Sequence, residues 1–216
     1  MTPSRYRDWR TYLHRYGPLM SSKEMEACSR LATVLLCGEQ SAIRIFAAEV
    51  QRGRAPVEVL TALQAIERDE ELHELALSAF TNYLPPADDA HAIKRRAQRF
   101  FASLGRAEDP AAHFARISYL DSAVCKIMWH IENSSLNKHS PLRHIASAIK
   151  ADEARHVSVS RGYARSLDPD VMRGSDEPQS IQEGLVDMLA PLGDSFEVVG
   201  VDSDRLFAQL ANGKRT

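Results

Sequence analysis

The sequence predicts an all-α fold built on four long helices, and three observations carry that prediction. Glycine and proline fall almost wholly between long stretches of helical apolar periodicity. Helix start signals stand at the heads of these stretches: Ser21-x-x-Glu24 reads as a capping box, and Asp109-Pro110 and Ser140-Pro141 each place an N-cap before a proline at the first helical position. A two-helix unit also occurs twice. Glu39-Gln-Ser-Ala-Ile-Arg-Ile-Phe46 aligns with Asp121-Ser-Ala-Val-Cys-Lys-Ile-Met128, and each copy is followed by Asp-Glu-x-x-His.

In chain order, an amphipathic segment over 4–16 ends at Gly17-Pro18. The first long helix runs from about 22 to Gln51, before Gly53. Pro56 opens the second, which ends near Leu84 ahead of Pro85-Pro86. A shorter helix over 88–104 carries Lys94, Arg95, Arg96 and Arg99, a basic face expected to be solvated and suited also to an acidic carrier protein or electron donor. Helices over 110–136 and 141–166 complete the four. Residues 168–179 hold polar breakers and read as a loop, with short helices at 180–192 and 203–211. Leu185, Met188, Leu189, Leu192, Phe196, Leu206, Phe207 and Leu210 give this tail an apolar face, so it is expected to pack. The chain reads as one domain, 1–216, with a core over 22–166 and a C-terminal extension over 167–216.

Composition narrows the function classes. A formal net charge of −2 and a pI near 6.4 leave no basic footprint for nucleic acid. Cys28, Cys37 and Cys125 form no Cys-x-x-Cys pair, and their odd number argues against a disulfide framework. They read as reduced thiols of a cytoplasmic protein. The first twenty residues lack an apolar signal core, and no apolar run is expected to reach the length of a membrane span.

The repeated motif carries the chemistry. Residues three apart share a helix face, so Glu70 with His73, and Glu153 with His156, can each grip one cation. A lone acid precedes each pair at a matching distance, Glu39 in the first half and Asp121 in the second. These groups lie within apolar stripes: Leu31, Leu35, Ala42 and Phe46 around Glu39; Leu63, Ile66, Leu77 and Phe80 around Glu70 and His73; Phe114, Ile117, Val124 and Met128 around Asp121. Six ionisable groups aimed into one core need a counter-charge. Two metal ions would supply it, and four carboxylates with two imidazoles suit iron or manganese better than zinc. Asp69 and Asp152, each just before a motif glutamate, are placed to accept the outer N–H of an imidazole, each for the histidine of the other half. The alternative for the whole set is a buried ion-pair network.

Asp152-Glu-Ala-Arg-His156 resembles the Asp-Glu-x-Arg-His signature of ferritin-like di-iron proteins, a group that includes bacterial multicomponent monooxygenases and rubrerythrins. The resemblance spans about 22–166. It implies a ferritin-like four-helix bundle with added N-terminal, inter-half and C-terminal helices. It implies as metal ligands Glu39, Glu70, His73, Asp121, Glu153 and His156, with Glu70 and Glu153 bridging two iron ions, or manganese and iron. Asp121 stands where glutamate is commoner, and its shorter reach can open a coordination position.

Such a site reacts with O2, and the resemblance implies an oxygenase or oxidase. It would act on a small or carrier-bound organic substrate by hydroxylation, N-oxygenation or desaturation, with electrons from an external donor. The alternatives are a ferroxidase or storage protein, like bacterioferritin, and a peroxide reductase like rubrerythrin. Rubrerythrin's appended module would need paired Cys-x-x-Cys motifs, which are absent. The extra segments suit a substrate cover better than a close-packed cage, so a homodimer is expected. Kinship with the para-aminobenzoate N-oxygenases is weaker, since their additional histidine corresponds to Ile149. Cys37, Gly38, Ser41 and Cys125 flank the lone acids and could leave room for O2 or substrate. Glu67 is expected to be exposed or salt-bridged, Tyr119 and Tyr163 to be core residues, and His130, two turns past Asp121, is a remote ligand candidate.

Overall fold

The computed structural model describes residues 9–105, 107–173 and 177–212, and among these the fold is all-helical with no strand. Helix α1 spans Trp9–Tyr16, α2 Ser22–Arg52, α3 Val57–Tyr83, α4 Ala90–Leu104, α5 Pro110–Glu132 and α6 Pro141–Leu167. The tail forms α7 (Glu177–Leu189), α8 (Gly193–Val198) and α9 (Ser203–Ala211).

Local chemistry sets most boundaries. The capping box at the head of α2 is complete: Glu24 N–H donates to Ser21 Oγ at 3.2 Å, and Ser21 N–H donates to Glu24 Oε2 at 2.7 Å. Gly53 ends α2 at φ +60°, a left-handed conformation that only glycine adopts without strain. Asp109 caps α5, its carboxylate accepting from Ala112 N–H at 2.7 Å. Ser140 stands at the N-cap of α6, but its side chain makes no capping bond there.

Other boundaries move. The helix expected over 110–136 stops at Glu132, where the Asn133 amide turns back to Trp129 O and Ser135 engages Gly200. Pro191 lacks an amide hydrogen and breaks the helix expected over 180–192. Helix α7 therefore ends at Leu189, a 3-10 turn follows at Ala190–Leu192, and α8 comes next. Of the segment expected over 4–16, residues 4–8 lie outside the described residues, as do 174–176 of the expected loop. Helix α1 docks at the head of α6 through rings, with Tyr12 stacked on His144 at 4.6 Å and Tyr16 on His139 at 4.8 Å.

The long helices pack as two pairs, α2 with α3 and α5 with α6, and α3 lies against α6. One apolar cluster joins them through Phe46, Leu63, Ile66, Phe114, Ile117 and Tyr163. A larger cluster extends from the same helices to α1, α4 and the tail, burying Leu185, Met188, Leu189, Leu192, Phe196, Leu206 and Leu210. Helix α2 meets α3, α4 and α8, so it needs apolar residues on more than one face. That requirement corrects one expectation: α2 is long and apolar enough, by length and composition, to cross a membrane. Arg30 fastens α2 to its neighbours, donating to Asp89 at the head of α4, to Ser195 Oγ and to Pro191 O.

The tail is held to the loop after α5 at one close approach. Gly200 has φ +77°, and a Cβ there would lie 2.7 Å from Ser135 N. Gly200→Ala is therefore expected to destabilise the fold by about 1–3 kcal/mol, through left-handed strain and loss of that approach. Urea unfolding checks this, and an unchanged midpoint would show that the tail tolerates displacement.

Candidate metal centre

Four helices deliver six ionisable side chains to one place: Glu39 from α2, Glu70 and His73 from α3, Asp121 from α5, and Glu153 and His156 from α6. All six are buried; Asp121 is the most accessible at 9%, and both histidines are fully enclosed. Ligand atoms of Glu39, Glu70, His73 and Glu153 lie within 4.8 Å of one another, a grouping that could hold a metal ion. Glu70 stands between the two imidazoles, with Oε2 3.4 Å from His73 Nδ1 and Oε1 3.1 Å from His156 Nδ1. Glu39 Oε2 is 3.2 Å from His73 Nδ1, and Glu153 Oε2 is 3.7 Å from His156 Nδ1. Asp121 and His156 fall outside the tight group of four. Asp121 is nonetheless buried where the charge of Glu153 is felt most strongly, and it lines the same cavity as Glu39, Glu70 and Glu153.

The outer nitrogens face the two aspartates crosswise. His73 Nε2 lies 3.2 Å from Asp152 Oδ2, and His156 Nε2 lies 3.3 Å from Asp69 Oδ2. Each aspartate thus orients the imidazole of the other half. With Nε2 turned outward to an aspartate, Nδ1 of each ring faces the carboxylates. Arg155 completes this layer, pairing with Asp69 and standing 4.0 Å from Asp152 Oδ1. Its position in the Asp-Glu-x-Arg-His run was the available signal for that role, which sequence reasoning left unassigned.

The electrostatics are those of acids crowded in a dry space. Burial pushes Glu39 well above the usual carboxylate range, and the charge of Glu70 adds to it. Burial likewise raises Asp121, reinforced by Glu153, and raises Glu153, reinforced by Glu70. Burial works against Glu70 as well, yet the facing imidazoles of His156 and His73 hold it below its ordinary value. Both imidazoles resist deprotonation in the metal-free cluster. Burial would lower them, but Glu39 and Asp152 keep His73 well above normal, and Glu153 and Glu70 lift His156 to about 10.

Hydrogen bonding leaves specific atoms over. Glu70 Oε2, Asp121 Oδ2, Glu153 Oε2 and His156 Nδ1 are buried without a hydrogen-bond partner, although His156 Nδ1 lies 3.7 Å from Glu153 Oε2. Their close but misaligned approach fits donors arranged around a cation better than a finished ion-pair network.

Other candidates fall elsewhere. Glu67 is half-buried outside the cluster. His130 Nε2 meets Gln209 Oε1 at 2.9 Å and serves the docking of α9. Tyr163 packs edge-on against Phe114 at 4.7 Å. Cys125 lies near the acids, its thiol pushed up to about 12 by burial and then by the charges of Glu153 and Asp121. Lys94, Arg95, Arg96 and Arg99 are exposed along α4. A second buried polar pair, Glu49 with His113 at 3.5 Å, was not foreseen. Glu49 follows Phe46 by one helical step, so its inward direction was readable, whereas its partner on α5 depends on tertiary packing.

The metal-free cluster predicts a pH dependence. Glu39, Asp121, Glu153, His73 and His156 all titrate higher in the folded chain than in the unfolded one. The folded state therefore holds more protons between the two sets of values, and stability falls as pH rises there. For His156 the contribution is complete below the ordinary 6.5 and is lost as pH climbs through about 10. The three acids act in the same direction from the carboxylate range upward, and Glu70 opposes them only below that range. Chelated protein is expected to show a higher urea midpoint at about pH 6 than at about pH 9. Equal midpoints would contradict this charge arrangement.

Comparison with family models, curated proteins and solved structures returns no match for this chain.

Proposed function

We propose that the chain is a ferritin-like di-metal oxidoreductase that would hold two iron ions, or manganese with iron, and oxidise a small or carrier-bound organic substrate with O2. The observation that carries this reading is an apolar cavity of about 60 Å³ onto which Glu39, Glu70, Asp121 and Glu153 all open. Leu185, Met188 and Leu189 of α7 form one of its walls, so the C-terminal extension covers the cluster. Apolar, covered space beside buried carboxylates suits an organic guest, whereas iron transit for storage calls for a hydrated path.

The residues present fit such a centre. Glu39 with His73 would hold one ion and Asp121 with His156 the other, while Glu70 and Glu153 reach toward both. The donor set, rich in oxygen with two imidazoles and no thiolate, is the kind that iron and manganese favour. Bound iron would supply the electron-transfer chemistry with O2 that no side chain offers. The protein's own part is to orient and enclose. Asp152 and Asp69 fix the imidazole tautomers, Arg155 steadies the two aspartates, and α7 excludes water from the cavity. Oxidation of the substrate also needs an external electron donor, and the exposed basic face of α4 is compatible with an acidic one. A small oligomer such as a homodimer fits an added helical cover better than a shell does.

Anaerobic Fe(II) reconstitution tests the centre: two ions per chain are expected, and Asp152→Ala should weaken iron retention by roughly ten- to a hundred-fold through loss of the acceptor behind His73. A reproducible iron content near zero would remove the reading. Light scattering and O2 uptake separate enzyme from store. The expected result is a small oligomer whose O2 consumption depends on reductant and organic substrate. A large hollow particle accumulating iron far beyond its centres would instead assign the cluster to iron oxidation.

A further inference from the structure

Three spaces lie in series between solvent and the acid cluster. The outermost is an open cleft of about 520 Å³ between α2, α4 and the start of α5. Behind it lie a cavity of about 40 Å³ that reaches Asp121 and the 60 Å³ cavity over the other acids. Phe101 of α4 lines all three. Its ring rests on Gly38, where a Cβ would come within 3.3 Å of the ring tip. The absence of a side chain at position 38 thus lets the tip of Phe101 press close to α2, as the wall between cleft and cavities.

Charge along this series is uneven. In the cleft, Glu49 pairs with Arg52 and also faces His113, so that positive charge is compensated. Arg44 lines the same cleft, is exposed, and has no ion-pair partner among the described residues. Lys94 of α4 is likewise exposed with no ion-pair partner among the described residues, and it stands one helical turn before Gln98, which lines the cleft from the side opposite α2. Two uncompensated cations therefore stand at the mouth and apolar walls stand behind them. Arg44 is five residues beyond Glu39 on one helix, a rise of roughly 7.5 Å, so a ligand of medium length would span the interval.

Building on the di-metal reading above, we propose that the substrate is an amphipathic anion, with its charged head held at Arg44 and Lys94 and a narrow apolar chain passing Phe101 into the cavity beside Glu39 and Asp121. Lipophilic cations are repelled at the mouth. Short anions reach the head site but leave the inner space unfilled.

Isothermal titration calorimetry of the full chain tests this, with octanoate, 1-octanol and acetate as probes, in metal-free and anaerobic Fe(II)-loaded protein. Octanoate is expected to bind about ten-fold or more tightly than either comparison ligand, since a charge-assisted hydrogen bond adds to apolar burial. Arg44→Ala combined with Lys94→Ala should bring octanoate down to the affinity of 1-octanol. These side chains are exposed, so the iron content should be unchanged. Phe101→Trp should weaken octanoate and 1-octanol together by crowding the passage. No octanoate binding, equal affinity for octanoate and 1-octanol, or indifference to the double variant would overturn the proposal. Arg44-dependent binding by a chain that takes up no iron would keep the anion site and defeat the di-metal reading; iron uptake without octanoate binding would do the reverse.

Discussion

Four carboxylates and two imidazoles share one dry region of the core, and the free energy of keeping them there constrains everything around them. An ionised acid in apolar surroundings is costly unless it is paired, protonated or bound to a cation. In the metal-free chain, protons do part of this work: three acids are pushed up by burial, and both imidazoles are held charged. The orphaned oxygens of Glu70, Asp121 and Glu153 mark what protons leave incomplete. A pair of cations would satisfy them together, because Glu70 already faces both imidazoles.

The layer outside the cluster makes that arrangement rigid. Asp152 reaches across to His73 and Asp69 to His156, so each half of the repeat depends on the other for ring orientation. Arg155 ties the two aspartates together at the rim. The crosswise pairing explains why α3 and α6 must lie against each other, and why the apolar residues one turn away, Ile66 and Ile149, are fully buried. Packing and polar chemistry thus impose the same register on these helices.

Symmetry ends where the cluster meets its surroundings. Helix α4 is inserted between the halves and lays Phe101 over Gly38, while α7 brings Leu185, Met188 and Leu189 over the acids of α2 and α5. One side of the cluster is therefore closed by the cross-paired layer, and the other opens into apolar space bounded by added helices. The cavity over the acids lies on that second side.

Much of this was present in the linear chain. Apolar periodicity, the Ser21–Glu24 box, Gly53 and the Asp109-Pro110 start specify helices because they act within a turn or two of backbone. The doubled Asp-Glu-x-x-His, with an acid ahead of each copy, names the six side chains of the cluster, since spacing of three puts a pair on one face whatever the rest of the fold does. Tertiary structure decided the rest. Where α5 ends depends on Ser135 meeting Gly200, a contact made by a segment far along the chain. The pairing of Glu49 with His113, the bridging position of Arg155, and the sharing of Phe101 among cleft and cavities all join residues whose separation in sequence carries no period. Local rules determine which way a side chain leaves its helix; only the packing of helices determines what it meets.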